Sequence, residues 1–450
     1  TRRAADEAAL HDRAERALET AVLLDSGNGD VRRRFTELLD TRALLAEREH
    51  HLDQRGSYAR RLELVDLDGE QRRRWNAPQP LTITSRPPSA LVEVARYGDD
   101  ARRRLAAPER LGTTPLAGAL APGSYLLTIS AGGRPPVRYP LVVERGTRVD
   151  LDIAVPARVP AGYVYVPAGG FLYGSADDER LRIGFFNTQP MHELATGGYF
   201  IARHEVTFGD WIEFLEALPA AERDRRMPHA PEDAGMVRLA QVDGGWRLEL
   251  QPPGAHAVLS AADGEPLRYP GRKRHASVDW RRLPVSGISW EDVLAYAAWL
   301  DETERLPGAR PCSEREWERA ARGADDRRYP HGDVLEPEDA NFDRTYGRTP
   351  DAYGPDEVGS YPASDSPLGV ADMIGNVAEW CRSVHARLPP RDGRRSAREL
   401  LPGDDMVLRG ATYYRDAISN LIVTRNFGTA THRSNETGAR ICADAPAPDR

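Results

Sequence analysis

Residues 372–380 read Asp-Met-Ile-Gly-Asn-Val-Ala-Glu-Trp, and the six from Gly375 to Trp380 are the most informative in the chain. They belong to a series: YVYVPAGGFLYGS (163–175), HEVTFGDWIEFL (204–215), LPVSGISWEDVLAYAAWL (283–300), PCSEREWERAARG (311–323), YPHGD (329–333) and VLRGATYY (407–414). Two helices can be placed within it. Ser289 can cap the first turn of WEDVLAYAAWL, and Ser313 with Glu316 makes the capping box of a second helix. Trp290, Tyr296 and Trp299 fall on or near one face, as do Trp317 and Ala320. An aromatic stripe of this kind is read as core. The rest of the series is α+β with long irregular connections.

GNVAEW resembles the GNVWEW signature of the formylglycine-generating enzyme family, and the other stretches follow in that family's order. The resemblance implies a C-type-lectin-like α+β fold over residues 158–446 of a multidomain chain. In the copper-dependent oxidases of this family a pair of cysteines follows the RGGS-type turn. Aligned on Arg409-Gly410-Ala411-Thr412, those two positions hold Arg415 and Asn420. Copper(I) needs soft thiolate ligands, which a guanidinium and a carboxamide do not provide. No copper, no oxidase chemistry and no enzyme are therefore expected. The three cysteines, Cys312, Cys381 and Cys442, lack paired metal-ligand spacing and read as buried, unreactive thiols. Such scattered thiols suit a reducing compartment, so a cytoplasmic location is expected. A relative of this domain occurs in non-haem iron sulfoxide synthases, whose histidines come from a separate helical bundle. No HxxxHxE-like run stands among the 11 histidines here, so no iron is expected; His204 and His331 read as surface or packing residues.

A chain of 450 residues has room for two or three domains, and its 40 % hydrophobic and 29 % charged content is that of a globular protein. No stretch approaches the roughly 20 apolar residues of a membrane span. The net charge of −8 is modest and its signs are interspersed, which points to neither nucleic acid nor a membrane as partner. Nearly all the positive charge is arginine. The single lysine, Lys273 in GRKRHAS, sits in neither a GK[ST] loop nor a VAIK-like strand, so no phosphoryl-transfer catalyst is expected in this chain.

Residues 1–61 read as a helical segment, with Leu18, Val22 and Leu23 before the turn SGNGD (26–30) and Phe35, Leu38, Leu39, Leu44 and Leu45 after it. It is loosely similar to one tetratricopeptide repeat; a spacer is the expected role. From 62 to 157, LELVDLD, LTITS, LVEV, YLLTIS, YPLVV and VDLDIAV alternate between Pro and Gly turns, resembling a PEGA-type small β-sandwich. Residues 216–282 read as a surface insertion with a hairpin turning at Asp243-Gly244-Gly245. The order helix, sandwich, lectin-like domain resembles the C-terminal half of bacterial multidomain serine/threonine kinases. With no initiator methionine before Thr1, the chain is expected to be part of a longer signalling protein.

The family fold carries calcium sites, and the resemblance carries their ligands over residue by residue. Asn341 and Asp351 would ligate through side chains, and Phe342 and Tyr353 through carbonyls. A second site would use the carbonyls of Ile374, Gly375 and Val377 and the carboxylate of Glu379. All-oxygen ligation suits a hard cation such as Ca²⁺, in a structural role. The alternative is that Asn376 and Glu379 only hydrogen-bond their surroundings.

From Ala411 to Thr437, the segment that lines the substrate groove of the oxidases, the candidate ligand-binding residues are Tyr413, Tyr414, Arg415, Asp416, Asn420, Asn426 and His432. Aromatics, arginine and small polar groups make a binding surface. Arg409 and Arg440 are expected to pin loops through carboxylates. The expected function is a non-catalytic module that recognises a protein or small molecule for a bacterial signalling protein. The alternatives are an enzyme of unrecognised chemistry in the same groove, or a free-standing variable lectin-like binder resembling the variable proteins of diversity-generating retroelements.

Overall fold

The computed structural model describes residues 2–230, 235–242, 244–385 and 404–445. It divides into two compact units, residues 1–82, 117–123 and 142–151, and residues 83–116, 124–141 and 152–450.

The first unit holds the helices Arg2–Leu24, Gly29–Arg48, Leu52–Val65 and Glu70–Trp75. Asn28, at the end of the expected turn, caps the second helix by accepting a hydrogen bond from the Val31 amide. Phe35, Leu39 and Leu62 are buried together, with Leu18, Val22 and Tyr58 packed against them. The stretch LELVDLD, expected as a strand, instead closes the third helix. Its Leu62 is needed in the helical core, while Leu64 and Leu67 stay exposed, so long-range burial overrides a local alternation.

Residues 79–154 form two sheets. The strands Leu116–Leu120, Gln79–Arg86 and Val149–Ala154 lie side by side in that order, as do Glu109–Thr113, Leu91–Arg96, Gly123–Ser130 and Val137–Val143.

Within the second unit, GNVAEW is a knot of loops rather than one element. Gly375 and Asn376 both have left-handed backbones, φ 74° and 55°. A Cβ on Gly375 would stand 2.2 Å from the Asn341 carbonyl oxygen, so only glycine fits. Asn376 donates its amide N–H to that same carbonyl at 2.9 Å, and its side chain exchanges hydrogen bonds with the Asp356 backbone at 2.8 and 3.2 Å. The strand Ala378–Val384 then begins. It pairs antiparallel with Asp405–Arg409 and parallel with Thr437–Ala439, and Arg425–Thr429 completes that sheet. A second sheet places Ala309–Pro311, Ile441–Asp444, Tyr199–Ala202 and Tyr163–Val166 in that order.

The capping box of Ser313 with Glu316 forms as expected, and the cap expected at Ser289 is a full box with Asp292; they open the helices Glu314–Arg322 and Trp290–Glu302. Trp290, Tyr296 and Trp317 are buried, and Tyr296 stacks on Trp211 at 5.2 Å. The hairpin Met236–Val242/Gly245–Gln251 is present with Val242 opposite Gly245; Asp243 of its expected turn lies outside the described residues. The reading of this segment as a surface insertion is corrected. Val237, Leu239, Trp246, Leu248 and Leu250 sit in the same buried cluster as Trp211, Trp280 and Trp290. Period-two alternation gives the hairpin one apolar face, and that face completes the core.

The reading of all three cysteines as free thiols is also corrected. Cys312 and Cys442 form a disulfide across 130 residues, brought together where Ala309–Pro311 pairs with Ile441–Asp444. Only Cys381 is free, and it is buried. The basis for expecting a reducing compartment falls with that pair. Among the described residues no helix is long and apolar enough to cross a membrane.

Candidate functional site

The groove segment rests on a scaffold of buried arginines. Arg440, fully buried, donates to both carboxylate oxygens of Glu379 at 2.7–3.0 Å and to the carbonyls of Ala202, Arg203 and Ala371 at 2.9–3.0 Å. The Trp317 indole N–H donates to the same Glu379 carboxylate at 2.6 Å. Arg409 is held by Glu318 and lies over the Trp317 ring, and Arg425 is held by Glu314 at 2.6 Å. Buried charges persist only when paired, and each arginine here has its carboxylate. The pinning role expected for Arg409 and Arg440 is what the structure shows, and it extends to Arg425.

This arrangement bears on the second calcium set. Glu379 is the counter-ion of Arg440, with its oxygens taken up by a guanidinium and an indole. A divalent cation at the Ile374–Gly375–Val377–Glu379 set would compete with Arg440 and Trp317 for the Glu379 carboxylate. In the first set, Asn341 is buried; its amide nitrogen donates to the Gly354 carbonyl at 2.9 Å, and its Oδ1 has no partner. Phe342 is buried beside it in sequence, whereas the Asp351 carboxylate, 41 % exposed, accepts from the amide and ring of His256 at 2.9–3.1 Å. The Tyr353 ring turns towards Tyr414, 6.3 Å away. Asn341 thus offers one orphaned oxygen of the kind a hard cation takes.

Of the seven candidate ligand residues, the structure gathers three. Tyr413 is buried, and its ring lies 5.9 Å from that of Tyr414. The Tyr414 hydroxyl donates to Glu436 Oε1 at 2.7 Å, and Arg415, 54 % exposed, lies over the Tyr414 ring at 4.7 Å with Glu436 Oε2 3.9 Å away. Asp416 caps a turn by accepting from the amide and hydroxyl of Ser419, and Asn420 is fully buried, donating to the carbonyls of Arg415 and Asp416. These bonds shape the loop. Asn426 and His432 are not gathered with them: His432 meets the edge of Trp380, and Asn426 is exposed on the strand Arg425–Thr429, whose next residue, Phe427, points to the strand's other face and stacks on His385 at 4.0 Å.

Sequence reasoning missed Glu436, the residue that organises the groove. Burial pushes its carboxyl above the usual range, against the opposing pull of Tyr414, Arg415 and Thr412. Nothing in the local pattern NET marks it; only the return of the chain past Tyr414 does. Also missed was the clamp at Asp356. Arg272 is sandwiched between the rings of Tyr269 and Tyr346, 3.6 and 4.0 Å away, and bonds Asp356 at 2.6 Å, while the hydroxyls of Tyr346 and Tyr361 donate to the other oxygen. Asp356 is also the residue whose backbone Asn376 holds, so the clamp locks the core-forming insertion to the GNVAEW turn.

Residues 153–445 match the family model of the sulfatase-modifying factor enzyme 1-like domain. The chain belongs to that family, and its fold is the formylglycine-generating-enzyme fold. Serine/threonine-protein kinase Pkn1 of Chlamydia trachomatis is 30% identical over 246 residues, which make up 54% of this chain and 31% of the kinase. The formylglycine-generating enzyme of Thermomonospora curvata is 24% identical over 320 residues, 66% of this chain and 97% of that one. Hercynine oxygenase of Mycobacterium tuberculosis is 31% identical over 270 residues, 57% of this chain and 55% of that one. The chain spans less than a third of the length of the kinase it matches.

All three of these relatives are enzymes, two of them matched over more than half of their length, and the expectation that this chain is not an enzyme is corrected accordingly. That expectation inferred inactivity from one missing thiolate pair. Arg415 and Asn420 deny copper(I) its thiolate ligands at those positions; they say nothing of any other chemistry.

Proposed function

We propose that this chain is the sensory or recognition part of a bacterial signalling protein of the serine/threonine-kinase type, and that the Tyr414–Arg415–Glu436 groove takes its ligand. The observation that supports this is the half-exposed Arg415 laid over Tyr414, whose hydroxyl is anchored to a buried carboxylate. Tyrosine and arginine are among the residue types enriched at the hot spots of recognition surfaces. The kinase relative supports the signalling context. A peptide-display selection on the purified chain is expected to yield binders whose affinity falls about tenfold or more with Arg415→Ala or Tyr414→Ala, a loss of at least about 1.4 kcal/mol. Arg238→Ala, on the exposed face of the hairpin, should leave it unchanged. Binders indifferent to both groove substitutions would overturn the reading. One observation favours acid–base catalysis in the same groove: the Glu436 carboxyl, raised by burial and bonded to a tyrosine hydroxyl.

We further propose a structural calcium ion at Asn341, which Asp351 joins by leaving His256. An ion bound by the folded state alone stabilises it by about 2.7 kcal/mol at a hundredfold excess over its Kd. The melting temperature should therefore rise with calcium and fall in chelator, and Asn341→Ala should abolish the difference. Identical melting of the unsubstituted chain in calcium and in chelator would dismiss the ion.

A further inference from the structure

A cavity of about 670 Å³ lies within the second unit, where the loop at 99–104 is seated on the YPHGD stretch. The seating is tight. Asp333 donates its amide N–H to the Ala101 carbonyl at 2.7 Å, and a Cβ on Gly332 would stand 2.5 Å from that same oxygen. Five arginines line the cavity: Arg102, Arg103, Arg104, Arg138 and Arg327.

Their partners sort them. Arg103 is held by Asp325, Asp326 and Asp333 at 2.8–3.3 Å, and Arg327 by both oxygens of Asp325. Arg102 is paired with Asp339 at 2.6 Å. These three form the rigid wall. Arg138 uses only its Nε, donating to the Pro367 carbonyl at 2.8 Å, and neither of its terminal nitrogens has a partner among the described residues. The Arg104 guanidinium has none there either, and both side chains are exposed. The paired wall thus carries two arginines whose terminal nitrogens make no hydrogen bond among the described residues; the carboxylate of Asp365, which also lines the cavity, lies in the field of Arg138 and of Arg203.

We propose that this cavity binds a phosphate monoester, its dianion held between Arg104 and Arg138 and its organic part lodged against Tyr97 and Leu105. Guanidinium forks match the oxygens of a phosphate bidentately, and a dianion answers two guanidinium charges at once. The volume exceeds what inorganic phosphate alone fills and falls within the range of small-molecule sites. The site is separate from the Tyr414 groove and does not depend on the reading given to it.

The test is calorimetric titration of the whole chain with O-phosphoserine, inorganic phosphate and, as a control, serine. O-phosphoserine is expected to bind more tightly than inorganic phosphate, serine not at all, and binding should weaken with salt. Arg104→Ala and Arg138→Ala should each reduce affinity about tenfold, as expected for loss of a charge-assisted hydrogen bond. The Arg104 side chain makes no hydrogen bond among the described residues, so Arg104→Ala should melt with the unsubstituted chain and carries the test even where Arg138→Ala, which also loses the Pro367 bond, does not. A phosphorylated heptapeptide tells the sources apart: tighter binding than phosphoserine assigns the site to modified protein, weaker binding to a small metabolite. Absence of any phosphate binding at millimolar concentration, or binding that survives the double substitution, would overturn the proposal.

Discussion

Replacing Arg440 by alanine is expected to remove about 3–5 kcal/mol of stability, the usual cost of leaving one half of a buried ion pair behind. The damage should exceed the single pair. Arg440 is the only guanidinium within reach of Glu379 and, at 3.9 Å, of Glu205, among the described residues. Glu205 is fully buried with neither carboxylate oxygen hydrogen-bonded to another side chain, and burial together with neighbouring Asp372 already pushes its carboxyl well up. Without Arg440, three carboxylates would share a dry space with no counter-charge. The measurement is the denaturant midpoint at neutral pH. Should Arg440→Ala fail to fold, the pair Arg440→Met/Glu379→Gln tests the same claim, because removing both charges should recover much of the loss. A loss below about 1 kcal/mol for Arg440→Ala would contradict the network.

The second large effect is expected from the disulfide. Titration of the denatured, unreduced protein should find one thiol, Cys381, and addition of reductant should release two more. Because the bridge closes a loop of about 130 residues, the chain-entropy view assigns it about 4–5 kcal/mol. Cys442→Ser should lower the denaturant midpoint correspondingly, and reductant should then have no further effect. Three titratable thiols before reduction would show the bridge absent and restore the reading of free, buried cysteines.

Kinetic and binding work on the groove gains a clear target from Glu436. Its carboxyl is raised by burial, so it takes up protons more readily folded than unfolded. The stabilisation it contributes is present below the ordinary glutamate range and is lost as pH rises through its folded value. Glu436→Gln should flatten that stretch of the stability profile.

What lay open in the chain itself were features whose causes act over a few residues. The cap at Ser289, the capping box at Ser313 and the hairpin about Gly244 each follow from a side-chain oxygen or period-two alternation within a single turn or strand. The order of those stretches, with their resemblance, carried the fold. What only the tertiary structure decided was who meets whom: Glu379 with Arg440, Asp351 with His256, Cys312 with Cys442, Glu436 behind Tyr414, and the hairpin face inside the core. The four side-chain pairings among them join residues from 22 to 130 positions apart. A buried charge or thiol takes whichever partner the fold brings within about 3–4 Å, and that distance is set by the packing of the whole unit and by no local pattern.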